Sequence, residues 1–400
     1  MDASPHGSGG PRRFLELAPT ERRHVHDPFI ISRSLDGTKK LGRPTHEASL
    51  MPAPDERRTT SGSPSSGNRG ADAVCSLCGG TDLRPLYDGV RDRLGVAPGT
   101  WTFRRCASCR SALLHPCPPS EELKGFYPEV YTFYPEVSSS SSLKSVWSRL
   151  EYYAFYVPQY VRQTRILRAF LRAHVRSRAS ILDVGCGRGL RMVALKQAGF
   201  EVAGIDFDAG SVRYVQDTLG IPAFVGDIHD IAHHFPPAAF DAVTAFYVLE
   251  HVTDLVGTLE TLRQAVRPGG WIIAAVPLTD SVQARLCGVR WSQITEAPRH
   301  TLNPSQEGMR RAFERAGFTR VEIRADATLS CAAVLSLSLT PRATTSHLYA
   351  ARSWRTLANR IAGGLLSLLL VPACFVESHV LRRPALGIVF AQRREDPATP

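Results

Sequence analysis

The sequence predicts an α/β fold: a seven-stranded, mostly parallel sheet with helices on both faces, preceded by a small cysteine-bearing segment. Three observations predict it. From Ser180 onward, short apolar runs of strand length alternate with longer runs of helical period, the pattern of parallel strands joined by crossover helices. The stretch Asp183-Val184-Gly185-Cys186-Gly187-Arg188-Gly189 falls at the turn leaving the first of these strands. Glycines at alternate positions let the backbone bend sharply and approach a ligand with no Cβ in the way. Two C-x-x-C pairs lie upstream, at a spacing that suits a metal-stapled module.

The elements follow in order. Residues 1–70 are rich in Ser, Pro, Gly, Arg and Thr with no sustained apolar period, and read as a disordered tail. Residues 72–120 hold Cys75-Ser76-Leu77-Cys78 and Cys106-Ala107-Ser108-Cys109, separated by 27 residues with their own Tyr, Trp and Phe. Two such knuckles read as a four-thiolate structural zinc site in a zinc-ribbon-like domain, with Gly79-Gly80 turning the chain after the first. Zinc would supply folding energy that so short a segment cannot draw from a core. A redox C-x-x-C would need one pair and a thioredoxin-like setting, which is missing. Residues 121–178 form a linker and N-terminal helices. Ser138–Ser142 is a serine run, and Leu143, Val146, Trp147, Leu150, Ala154 and Val157 recur at helical spacing until Pro158; a second helix is expected over 160–174. The core spans 179–325, with strands at 180–184, 201–205, 222–225, 240–245, 271–276 and 319–325 and helices at 190–198, 209–218, 254–266 and 305–316. An apolar insertion occupies 326–385, the final core strand 386–394 and a short tail 395–400.

Composition narrows the class. The formal charge of +11 is spread along the chain without a dense Lys/Arg block, so no nucleic-acid partner is expected. No apolar h-region opens the sequence, which favours a cytoplasmic location. Nine cysteines, an odd number, favour metal ligation over a disulfide framework. Cys117, Cys186, Cys287, Cys331 and Cys374 have no partner spacing and read as buried or loop thiols.

The glycine spacing is G-x-G-x-G, one residue shorter than the dinucleotide fingerprint. Strand two ends at Gly204-Ile205-Asp206, where a carboxylate can accept hydrogen bonds from two vicinal ribose hydroxyls. Strand three is followed by Gly226-Asp227-Ile228, strand four by Phe246-Tyr247-Val248-Leu249-Glu250-His251, and Arg267-Pro268-Gly269-Gly270 stops a helix before strand five. Together these pieces resemble the class I S-adenosylmethionine (SAM) methyltransferases, over about 180–320 and the strand near 386–393. The resemblance implies a Rossmann-like fold and SAM as cofactor. It implies that Asp183, Gly185, Gly187, Gly189, Asp206, Asp227, Ile228 and Phe246 meet that cofactor, with Asp227 at the adenine amine and Ile228 on the ring. An NAD-dependent oxidoreductase and a SAM-binding module without catalysis are the alternatives. A cysteine module ahead of a class I domain is similar to bacterial methyltransferases of natural-product and sugar pathways; the stretch after residue 325 does not match the sugar C-methyltransferases, so their substrate is not carried over.

Methyl transfer is an in-line displacement in which alignment does most of the work, and a hydroxyl, amine or acidic-carbon acceptor can also need a base. His251 follows strand four at the carboxyl edge of the sheet; base and structural roles weigh equally, the latter with Glu250 capping the next helix. His300 precedes the helix at 305–316 and is expected to face the acceptor, while Asn303 or Ser305 caps that helix. His233 and His234 read as loop residues. The expected partner is a small-molecule acceptor, including a lipid- or sugar-linked one. In the insertion, Leu329–Leu339 and the sixteen-residue run Ile361–Val376 are apolar, with Arg342, Arg352, Arg355, Arg360, Arg382 and Arg383 around them. Apolar faces rimmed by arginine suit peripheral contact with an anionic membrane; a cap over the active site or a homodimer face are the alternatives.

Overall fold

A computed structural model describes residues 74–127, 157–326, 328–340 and 354–395. The tail at 1–70, the serine run, most of the helical pattern from Leu143, and Arg342 and Arg352 lie outside the described residues.

In chain order the elements are β1 (Leu83–Val90), β2 (Trp101–Cys106), β3 (Ala112–Leu114), α1 (Ser120–Lys124), α2 (Val157–His174), β4 (Ser180–Val184), α3 (Leu190–Gln197), β5 (Glu201–Asp206), α4 (Ala209–Leu219), β6 (Ala223–Val225), α5 (Ile231–His234), β7 (Phe240–Phe246), α6 (Leu255–Ala265), β8 (Val266–Pro277), α7 (Val282–Cys287), β9 (Leu302–Asn303), α8 (Gln306–Arg315), β10 (Phe318–Ala325), α9 (Thr328–Leu339), α10 (Trp354–Phe375) and β11 (Leu386–Arg393). The large sheet has the order β10-β11-β8-β7-β4-β5-β6. β6, β5, β4, β7 and β8 run parallel, and β11 enters antiparallel between β8 and β10. This is the Rossmann-like sheet expected.

Local sequence explains the boundaries. Asp208 caps α4 by accepting from Gly210 and Ser211 N–H groups at 3.0 and 3.1 Å, and Gly220, at φ 57°, ends it in the left-handed region. All seven residues of β7 are buried, as befits a strand covered on both faces. On one face, Leu182, Val243 and Ile272 pack with Leu259, Leu262 and Phe313 of α6 and α8. On the other, Ile181, Ala242 and Ile273 meet Leu167, Leu171 and Leu195 of α2 and α3.

Three expectations change. Arg267-Pro268-Gly269-Gly270 does not separate helix from strand: α6 ends at Ala265 and β8 begins at Val266, slipping register against β7 between the Phe240 and Ala242 pairs. The helix after Glu250 and His251 is capped by Asp254, which accepts from Gly257 N–H at 3.1 Å, and not by Glu250 or His251. His233 and His234 end the short helix α5.

The cysteine segment is joined to the core by backbone. β1, β2 and β3 form an antiparallel sheet whose fourth strand is β9, from beyond β8. Ser305 supplies the helix cap, accepting from Gly308 N–H at 2.9 Å, while its hydroxyl donates to the Cys109 carbonyl and its N–H donates to Ser111 Oγ at 3.0 Å. A Cβ on Gly308 would stand 2.1 Å from Ser111 Oγ, so only glycine lets these two surfaces meet.

Candidate functional site

The row of acids anticipated along the sheet edge is present. Asp183, at the end of β4, is fully buried; its Oδ1 accepts from Thr244 Oγ1 at 2.6 Å and from Arg191 at 3.5 Å, and its Oδ2 has no partner among the described residues. Burial raises its pKa, opposed by Arg191 and Thr244. The Arg191 guanidinium lies 3.8 Å from the Phe246 ring centre, so Asp183, Arg191 and Phe246 form one cluster beneath the glycine loop. Gly185 has φ 65°, and a Cβ there would meet Val248 Cγ2 at 2.5 Å. Gly187 and Gly189 also take positive φ, and Gly189 stands at the N-terminus of α3.

Asp206 lies one strand over. Its Oδ2 accepts from Gly187 N–H at 2.8 Å and its Oδ1 from Asp208 N–H at 2.9 Å, so it braces the glycine loop directly. Burial pushes its carboxyl up, and those two backbone donors pull against it. Asp227 follows β6 and caps the turn Ile228–Asp230 by accepting from His229 N–H at 2.8 Å, with Ile228 buried beside it. Lys124 of α1 comes within 4.0 Å of Asp227. The segment after the cysteine module therefore lies along this edge, and Tyr127 closes it, with ring contacts to Phe207 at 5.6 Å and His251 at 6.0 Å.

Beyond β7, Glu250 and His251 form a one-turn 3₁₀ helix. Glu250 is buried, its carboxyl pushed up to about 8 by desolvation, and its Oε2 has no partner among the described residues. His251 Nδ1 is 3.0 Å from the Arg299 carbonyl and 3.0 Å from Tyr127 Oη. A carbonyl only accepts, so Nδ1 carries the proton and Nε2 the lone pair. Burial lowers this imidazole to about 4. His300 packs edge-on against it with ring centres 4.7 Å apart; burial holds His300 well below its ordinary value, and its Nδ1 has no partner among the described residues. Both rings are neutral at physiological pH.

Several site-supporting residues escape a reading of the sequence. Arg299 is fully buried and pairs with Asp92 through two nitrogens, at 3.0 and 2.5 Å, and with Glu296 at 3.1 Å. Tyr247 sits at φ 58°; its hydroxyl donates to Asp326 and accepts from Gln163 at 3.0 Å. These partners are far apart in sequence, and no motif marks them.

In the cysteine module, Cys75 Sγ and Cys109 Sγ are 3.7 Å apart, and Cys78 Sγ and Cys106 Sγ 3.5 Å. These distances are too long for a disulfide and close to the ~3.8 Å edge of a tetrahedron with ~2.3 Å metal–sulfur bonds. All four sulfurs lie within 4.8 Å of one another. Cys186, Cys287, Cys331 and Cys374 are buried, and Cys117 is exposed.

The insertion forms α9 and α10. The apolar run is longer than the sequence suggests, because α10 continues through a π turn at Val376–Val380: Ile361–Val380 is long and apolar enough to cross a membrane. One side is bare, with Leu365, Leu368, Leu369, Val376 and Val380 exposed at helical spacing. Its far end is pinned by buried Glu377, which accepts from Gln283 N–H at 2.8 Å and Gln283 Nε2 at 2.9 Å. Arg382 and Arg383 then line a groove with Arg110, Arg285 and Arg310.

Residues 153–323 match the model of a family described as a methyltransferase domain. The ubiquinone biosynthesis O-methyltransferase of Chromobacterium violaceum is 33% identical over 141 residues, 32% of this chain and 60% of that protein. Its namesake in Paracidovorax citrulli is 35% identical over 98 residues, 23% of this chain and 41% of that protein. The chain thus spans 60% or less of the length of these curated relatives. Among solved structures, a SAM-dependent methyltransferase from Archaeoglobus fulgidus is 16% identical with a TM-score of 0.37, covering 60% of this chain and 99% of that one. Residues 153–323 are thus similar to a methyltransferase domain, carried on a Rossmann-like sheet that follows a four-cysteine module.

Proposed function

We propose that this protein transfers a methyl group from SAM to a hydroxyl of a small-molecule acceptor. The observation that supports it best is the continuity of two sets of groups along one sheet edge. Asp183, Asp206 and Asp227 stand at the ends of three adjacent strands, and two neutral histidines stand beyond the next strand. SAM supplies a carbon already activated by its sulfonium. Asp206 takes the ribose hydroxyls with the lone pairs left over from Gly187 and Asp208 N–H. Gly185, Gly187 and Gly189 let the backbone approach the amino acid tail, with Asp183 and Phe246 beneath it. Asp227 and Ile228 hold the adenine. His251 and His300, kept neutral by burial, orient the acceptor hydroxyl and offer it a lone pair. The choice of oxygen follows the O-methyltransferase names of the matched relatives.

Cys75, Cys78, Cys106 and Cys109 hold a structural zinc ion: four protein ligands at tetrahedral spacing leave no open position. The bare side of α10 and the arginine groove at its end suit an anionic membrane surface, where a lipid-linked or otherwise apolar acceptor would be met. Incubating the protein with methyl-labelled SAM and fractionated cell extract, then identifying the labelled product, tests the reading. Label on an ether oxygen of a small molecule supports it. SAM bound without turnover on any fraction defeats it.

A further inference from the structure

We propose that an arginine-lined cleft beside the cysteine module holds the phosphate or diphosphate of a lipid-linked methyl acceptor, with the lipid chain laid along α10; this rests on the methyltransferase reading above and gives its substrate class. Two adjoining cavities of about 670 and 490 Å³ form the cleft and share Arg110, Asp280 and Arg285. Arg84 and Arg105 line one of them, and Arg310, Arg382 and Arg383 the other. The cysteine module, α7, α8 and the turn after α10 are far apart in sequence and converge here. Asp280 follows β8, so the cleft opens at the carboxyl edge that also carries the glycine loop.

Seven arginines face two acids, Asp280 and Glu307. Asp280 accepts from Gln306 N–H at 3.2 Å, and Glu307 pairs with Arg311 at 2.7 Å. Among the described residues, no carboxylate pairs with Arg105, Arg110, Arg285, Arg310, Arg382 or Arg383. Arg84 and Arg105 stand directly opposite each other on β1 and β2, and Asp82 meets Arg84 at 2.8 Å but leaves Arg105 unmatched. A bound anion would relieve that like-charge pairing. The four thiols have their own counter-charge in Arg311, which feels Cys78 and Cys109 and lies outside the cleft. A cleft walled by one sign of charge concentrates anions, and guanidinium forks match phosphate oxygens.

A polar track leads from the cleft towards the histidines. Arg105, Ala112 and Asn303 are successive partners across β2, β3 and β9, so their side chains share one face, and alanine leaves the row open between the outer two. Asn303 is fully buried, yet neither Oδ1 nor Nδ2 has a partner among the described residues. Such a side chain suits a ligand group that both donates and accepts, as a hydroxyl does. His300 stands three residues before it, within about 11 Å along the chain, so a phosphate in the cleft and a hydroxyl at His300 fit one molecule. On the other side, Leu381 lines the cleft, and the bare side of α10 starts beside it at Val380 and Val376, where an apolar chain leaving the phosphate would lie.

Calorimetry on the full chain at constant ionic strength tests this with two probes: inorganic pyrophosphate, the head alone, and farnesyl diphosphate, which adds an apolar chain. Farnesyl diphosphate should bind about tenfold tighter or more. Arg110→Gln combined with Arg285→Gln should weaken both probes by about tenfold or more, while the same loss of charge at exposed Arg165 and Arg172 of α2 should change neither. Leu369→Ser combined with Val376→Ser should weaken farnesyl diphosphate alone. The proposal is overturned when neither probe binds, when the two bind alike, or when the α2 variant loses as much as the cleft variant. SAM affinity on the same samples reports folding and separates the failures. SAM bound without cleft-dependent diphosphate binding removes this site alone, and diphosphate bound by protein that takes up no SAM removes the methyltransferase reading.

Discussion

Replacing Asp206 by Ala removes two functions at once, and the structure gives each a size. The carboxylate is 6% exposed and holds Gly187 N–H and Asp208 N–H at 2.8 and 2.9 Å. Hydrogen bonds to a charged group contribute about 1.5–3 kcal/mol each. Losing the ribose contacts should therefore cost about 2–3 kcal/mol of binding, roughly 30- to 150-fold in SAM Kd. Sequence alone treats this residue as a cofactor contact with no effect on the fold. The structure adds a second cost, because the glycine loop loses the group that braces it. Some 1–3 kcal/mol of stability should go with it, set by how well water replaces the carboxylate at two partly buried donors. Asp206→Asn should fall between, since the amide keeps one acceptor and presents a donor to the other N–H. Calorimetry reads the first effect and urea unfolding without SAM the second. An affinity within threefold of wild type would refute the ribose assignment, and unchanged stability would refute the brace.

Asp92→Ala should cost about 3–5 kcal/mol, because it strands the buried Arg299 charge, and should loosen the carbonyl that holds His251; chemical denaturation measures it. Burial pushes the Asp92 carboxyl up, but Arg299 and the Ala97 and Leu94 N–H groups outweigh it and hold the pKa below the usual range. Its contribution is therefore complete above about pH 3.9 and is lost as pH falls through the lowered value, which acid unfolding of wild type against Asp92→Asn should show. His300→Ala should lower kcat about 10²- to 10⁴-fold with SAM Kd unchanged; an equal loss of SAM affinity would move His300 to the cofactor side. Full-length protein should float with anionic vesicles at low salt and release as salt rises, and replacing 329–383 by a short linker should abolish it; no lipid-bound fraction at low salt would remove membrane contact.

What the sequence made legible was local. The turn glycines, the acids closing β4, β5 and β6, and the seven strand positions carry their signals within a few neighbouring residues. His251 and His300 each stood out by position, but not their contact at 4.7 Å, because a fold that returns β9 to the cysteine module is needed to bring them together. Asp92 and Arg299, 207 residues apart, are individually ordinary. The module's attachment was equally hidden: two paired residues of β9 are too few to show a strand period. The length of α10 was under-read because Glu377, Ser378 and His379 end the apolar run in sequence, whereas the helix continues through them as a π turn.

The place of β11 bears on how the molecule is made. β10 touches the rest of the large sheet only through β11, and β11 comes last of the described strands, with the insertion between the two in sequence. During synthesis, β6, β5, β4, β7 and β8 can assemble as soon as they emerge. β8 must then wait with an open edge, and β10 with none to join, until residue 393 has left the ribosome. For that interval the nascent chain presents apolar Ile272 to Val276 along an unpaired strand, together with the bare side of α10. The aggregation-prone interval for this fold runs from the emergence of β8 to that of β11, and a chaperone or a membrane surface that shelters the β8 edge would raise the share that folds.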